Sequence, residues 1–165
     1  MAQATATAGD GAVSSSAETT RVTSALLACG IFAGPLFVVV AVVQGQTRDG
    51  FDFTRHAISL LSDGDLGWIQ ITNFLFCGLL AIACATGMRR VLRGGPAGTW
   101  GPLLLGVFGV GTMVSAVFRA DPTDGFPPGT PAGRVTAMSW HGSLHMAFSG
   151  MSFLALVAAC FVLAR

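Results

Sequence analysis

The chain has no lysine and no tyrosine, and only 10% of its 165 residues are charged. A soluble domain carries about 25% charged residues, and here the missing charge is missing in blocks. That excludes a water-facing surface over most of the sequence. No run of like charge occurs and the formal net charge is +1, so neither nucleic acid nor an acidic partner is expected. Cysteine is scarce as well. Cys29, Cys77, Cys84 and Cys160 lie inside apolar runs, without the paired spacing of a disulfide framework or a thiolate metal site. They read as small buried hydrophobes.

What the chain does have is apolar sequence, 52% of it, gathered into four long runs. About 20 apolar residues cross the ~30 Å hydrocarbon core at 1.5 Å per residue, which places spans at 24–43, 66–88, 100–118 and 138–164. The predicted fold is all-α: an integral membrane helix bundle of about four antiparallel transmembrane helices over residues 21–165. Residues 1–20 are mostly Ala, Ser, Thr and Gly and are expected to form a disordered tail, having too little apolar surface to offset ordering entropy. The first run is long and ends in VVVAVVQGQ, without the small residues of a cleavage site, and so reads as a retained span rather than a signal peptide. Gly30 and Gly34 have the small-xxx-small spacing of close helix contacts, and Pro35 is expected to kink the helix. Pro102 is expected in the first turn of the third span, where a missing N–H costs nothing. Trp68, Trp100 and Trp140 each fall at the start of a span, where indole prefers the interface.

Arginine supplies the orientation. The turn MRRVLRGGPAGTW carries Arg89, Arg90 and Arg93 and no acid, whereas the other two connections mix Arg48, Arg55, Arg119 and Arg134 with six aspartates. The positive-inside rule puts that turn and both termini on the cytoplasmic side of the membrane. The expected partners are membrane lipid, and partner helices or further copies of the chain.

The polar side chains of the spans then collect in the outer half. Gln44 and Gln46 end the first helix. Gln70 and Asn73 share a face of the second, and Thr112, Ser115 and Arg119 follow one another along the third. His141, His145, Ser149 and Ser152 make a stripe on the fourth. Polar groups inside spans face the bundle interior or a wet cavity. Two readings stay open: an outward-facing polar pocket, or ordinary interhelical hydrogen bonds. The candidate binding residues are Arg55, His56, Asn73, Arg119 and Asp121. His141 and His145 are an i, i+4 pair, and His56 lies in the first outer loop. Three imidazoles with a free position would make a catalytic zinc site, so His56, His141 and His145 are the candidate metal ligands, although the pair lacks the glutamate of the zinc-protease helix motif.

In the first outer loop Thr54 is expected to cap a short interfacial helix with Ala57, Ile58 and Leu61 on one face. That helix would hold Arg55 and His56 over the bundle's mouth. A serine nucleophile beside His56, Ser59 or Ser62, lacks any nucleophile-elbow context. The loop PTDGFPPGTPAG reads as a turn-rich connector. Arg119 and Asp121 are expected either to pair or to meet a lipid headgroup.

Taken in order, ISLLSDGDLGWIQITNF, the arginine-rich turn, FRADPTDGFPPG and WHGSLHMAFS resemble the bacterial membrane family known as domain of unknown function 998, from about Pro35 to Arg165. The resemblance implies a multi-helix inner-membrane protein, typically of six spans, so a chain with room for four is expected to be a short or truncated member. It transfers no mechanism. The three histidines and an aspartate near the outer face are also similar, in residue type alone, to seven-helix zinc-dependent lipid amidases. Three functions follow: a lipid- or partner-binding membrane component with an outward pocket; a metal-dependent hydrolase at the outer leaflet; and, last, a transporter component, since no span carries an acid or base at mid-membrane. No internal repeat supports the third.

Overall fold

The computed structural model describes residues 3–133 and 135–165, with side chains from Ser16 onward. Arg134, counted above among the loop charges, lies outside the described residues. The elements are α1 (Gln3–Thr47), a 3-10 helix (Ile58–Ser62), α2 (Gly67–Val91), α3 (Gly95–Val117) and α4 (Trp140–Leu163). Four helices are long and apolar enough to cross a membrane: Ser16–Thr47 within α1, α2, α3 and α4. The exterior is that of a protein solvated by hydrocarbon: Ile31, Phe161 and Leu154 are 71%, 69% and 73% exposed, while Gln70, Ser115 and His145 are buried. The chain is therefore an all-α helix bundle of the multi-pass membrane type.

α1 includes residues 3–20, the segment expected as a tail. Its alanines favour helix, and Pro35 is the first proline the chain meets. The other spans fall close to their expected bounds, except that α3 starts five residues early. Gly94 and Gly95, at φ 77° and 67°, turn the chain left-handed, and Pro96 then occupies the first helical turn. Pro102 consequently lies inside α3 rather than in its first turn, where its missing N–H would leave the carbonyl of Gly98 unpaired. Arg89 at the end of α2 donates to that carbonyl through Nη1.

Each helix packs chiefly on its neighbour in sequence, α1 on α2, α2 on α3 and α3 on α4. Glycine permits the closest crossing: a Cβ at Gly78 would stand 2.7 Å from the Gly109 carbonyl oxygen, and a Cβ at Gly109 would stand 2.7 Å from that of Gly78. Of the Gly30–Gly34 pair, Gly30 packs tightly on Cys84, but Gly34 faces open space. A cleft of about 240 Å³ separates α1 from α4, with Phe37 and Val38 on one wall and Phe153 and Leu156 on the other.

The two long connections meet at one end of the bundle. Ala41, Leu60, Leu61 and Phe126 form a small core there, with Phe51 and Ala120 against it. The proline-rich second connection is thus more than a connector, because its Phe126 is fully buried. Arg48 holds the first connection in place: Nη1 donates to the Leu61 carbonyl at 2.6 Å and Nη2 to that of Asp63. Its guanidinium lies 4.9 Å over the Phe126 ring. Burial lowers the Arg48 pKa, against the pull of Asp63 and Asp65.

Candidate functional site

The polar stripes resolve into two groups with different partners. The deeper group ties helices together. Gln44 of α1 donates to Gln70 of α2 at 2.7 Å. Asn73 donates to the Phe37 carbonyl at 3.2 Å and to Gln70 at 3.3 Å. Between α3 and α4, Ser115 and Ser149 share a hydrogen bond of 2.9 Å. His145 is 2% exposed, and its Nδ1 lies 2.7 Å from the Phe118 carbonyl and 3.0 Å from that of Ser115. Those carbonyls belong to the last turn of α3, which has no further backbone donors, so the imidazole serves as its cap. Asn73 and His145 thus act as interhelical ties.

The shallower group forms a pocket. Arg119 and Asp121 follow the end of α3, His141 lies in the first turn of α4, and Asp63 closes the 3-10 helix of the first connection. These four side chains line a cavity of about 430 Å³ together with Pro122 and Pro127. Asp121 is fixed there: its carboxylate accepts the Ser139 backbone N–H at 2.7 Å and the Ser139 hydroxyl. Ser139 in turn caps α4 by accepting from Gly142 N–H at 3.0 Å. A carboxylate and a hydroxyl at a helix N-terminus suit its positive end. His141 lies against Trp140, ring centroids 3.7 Å apart, and against Phe118 at 5.7 Å.

Two groups in the pocket keep their binding capacity. Among the described residues Arg119 has neither a hydrogen bond nor an ion pair; the ion pair found there joins Arg55 to Asp52. Asp63 is 5% exposed, and among the described residues its Oδ2 has no hydrogen-bond partner. Burial pushes the Asp63 pKa from 3.8 up to about 6, resisted by the charges of Arg119, His145 and Arg48 and assisted by Asp121. Beside a free guanidinium stands a carboxyl group that gains or loses its proton with modest changes of environment.

Of the residues expected at the site, Arg119, Asp121 and His141 come together. Arg119 and Asp121 do not pair with each other; the Asp121 carboxylate is held by Ser139. Arg55 is exposed and turned to Asp52 at 3.2 Å. His56 is buried in the loop core between Phe51 and Phe126. Its Nδ1 accepts the Asp52 N–H at 2.9 Å, leaving Nε2–H to donate to the Asp124 carbonyl at 3.2 Å. The first connection is joined to the second by that ring. Among the described residues no group of three or more His, Cys, Asp or Glu could hold a metal ion, so His56, His141 and His145 are not assembled as a ligand set. The short helix also departs from expectation. It is 3-10, Ala57 precedes it without a side-chain cap, and Thr54 bonds Asp52 instead. Its buried residues are Leu60, Leu61 and Ser62, whereas Ile58 is exposed. The sequence reading missed Asp63; its one signal was an acid directly after the buried run Leu60–Leu61–Ser62.

Four span-length helices with a polar pocket at one end define a small multi-pass bundle of the membrane type. Residues 31–165 match the family described as "Protein of unknown function (DUF998)", and the chain belongs to that family. No curated protein matches it, and neither does any solved structure.

Proposed function

We propose that this chain is a membrane-embedded binding component whose loop-end pocket takes the polar head of a membrane lipid. The observation that carries the reading is the presence, in one cavity, of the Arg119 guanidinium and the Oδ2 of Asp63, neither with a hydrogen-bond partner among the described residues. A guanidinium meets a phosphate by charge-assisted, often bidentate hydrogen bonds. A neighbouring carboxyl with a free oxygen accepts from an ammonium or hydroxyl on the same headgroup. The pocket sits where the helices end, at headgroup depth. The acid-free turn of Arg89, Arg90 and Arg93 supports a cytoplasmic position for that turn and both termini, which puts the pocket on the outer face of a bacterial cell membrane.

Metal-dependent hydrolysis lacks comparable support. His56 commits both ring nitrogens to main-chain groups, and His145 commits Nδ1 to two carbonyls. The test is lipid retention by the detergent-purified chain, read by native mass spectrometry. Arg119→Gln should weaken retention about tenfold or more, the scale of one lost charge-assisted hydrogen bond. Arg55→Gln should leave it unchanged. Equal retention by both variants would refute the reading.

A further inference from the structure

At the opposite end of the bundle, α2, α3 and α4 enclose a groove of about 750 Å³. Its walls are apolar, with Ile82 from α2, Leu103 and Val107 from α3, and Phe148 and Met151 from α4. Its polar lining lies toward one end, where Thr86, Arg89 and Arg90 fall in the last turns of α2 and Thr99 stands near the start of α3. Arg89 is spent on the Gly98 carbonyl. Among the described residues Arg90 has neither a hydrogen bond nor an ion pair, and no acid lines the groove.

We infer that this groove is a second binding site, for one acyl chain of an anionic phospholipid whose phosphate meets Arg90. Three features select that occupant. The first is charge: a basic end without an acid, at the level where headgroups lie, attracts an anionic lipid. The second is depth. The α3 lining runs from Thr99 to Gly111, about 18 Å at 1.5 Å per residue, and half of the ~30 Å hydrocarbon core is about 15 Å. The groove therefore begins at the headgroups and stops near mid-membrane, the reach of one leaflet. A transmembrane helix from another chain would require a groove running the full thickness. The third is room. A Cβ built at Gly106, in the lining, has nothing within 4 Å. The site lies at the other end from the Arg119 pocket and stands independently of it.

Trp100 reports on the groove, since it precedes Leu103 and Val107 on one face of α3 and is exposed. The full chain with Trp68→Phe and Trp140→Phe, reconstituted in phosphatidylcholine vesicles, leaves Trp100 as the sole indole. Vesicles carrying a minor share of brominated phosphatidylglycerol should quench it several-fold more than vesicles carrying the same share of brominated phosphatidylcholine. Arg90→Gln should reduce that preference about tenfold, the scale of one lost charge-assisted hydrogen bond to the phosphate. Gly106→Leu, which fills the groove without touching the arginines, should reduce it likewise. Arg93→Gln, outside the groove, should preserve it. Equal quenching by the two lipids would overturn the inference. So would an equal loss in Arg93→Gln, which would show attraction to the surface alone. Protection of Trp100 from both lipids would also overturn it, since the groove would then be covered by protein.

Discussion

Proline in the third helix leaves a carbonyl that an arginine on the second helix pairs, and the dependence can be measured. Pro102 has no N–H for the Gly98 carbonyl, and Arg89 Nη1 supplies the missing donor from the neighbouring helix. Arg89→Met keeps a long side chain but leaves that carbonyl unpaired. A buried acceptor without a partner costs about 1–3 kcal/mol, and Gly98 is buried. Its place near the helix start lets water reach part-way, so about 1–2 kcal/mol is the expected loss. Pro102→Ala restores the N–H within α3. In the Arg89→Met background it should recover about 1 kcal/mol or more, whereas alone it should bring no such gain, because the carbonyl is already bonded. The assay is a double-mutant cycle on unfolding in detergent with increasing dodecyl sulfate. A coupling energy of about 1 kcal/mol in favour of the double variant supports the argument. Additivity within about 0.5 kcal/mol would refute it.

Three further outcomes are expected. Asp63 has a folded pKa of about 6 against 3.8 ordinarily, so its neutral form is the one favoured by folding. That contribution is complete below about 4 and is lost as the pH rises through about 6. Thermal stability should therefore rise on acidification across that window. In Asp63→Asn the rise should shrink, even though Arg119, His145, Arg48 and Asp121 still face the site; an unchanged pH profile would contradict the assignment. Phe126→Ala should cost about 3–5 kcal/mol, as for a large buried aromatic ring, with helix content retained; a loss below about 1 kcal/mol would show the loop core to be dispensable. In a cysteine-free background, a cysteine at Gly95 should be shielded from an impermeant thiol reagent in intact cells and one at Gly129 should react; the reverse pattern would invert the orientation.

The helices were legible because their signal is local and long. Blocks without charge mark the spans, and tryptophans stand at or near their starts. The start of α3 was less legible, since Pro102 imitated a first-turn proline while the breaking pair Gly94–Gly95 lay further back. The polar stripe was legible as a placement, but its division was not. Whether a serine or histidine ties helices or lines a pocket depends on what faces it, and that is set by partners remote in sequence. His145 meets the end of α3, and His56 meets a carbonyl 68 residues away. Asp63 was missed for the same reason. It shares its cavity with Pro122 and Pro127 of the second connection, which the sequence shows only as a string of turns.

The row-like order of the helices bears on how the chain is made. Because each helix after the first packs against the one before it, every later span arriving in the membrane finds a packing partner already in place. Low separation between contacting segments favours rapid assembly, and little waits for the end of synthesis to begin pairing. The exception is the knot at the loop-rich end, where Arg48 and His56 must wait for Phe126 and Asp124. Until α3 has inserted and that second connection has emerged, the first connection lacks the ring that buries it. The loop-rich end, where the Arg119 pocket lies, is thus the part of the bundle that can close only after the second connection is made.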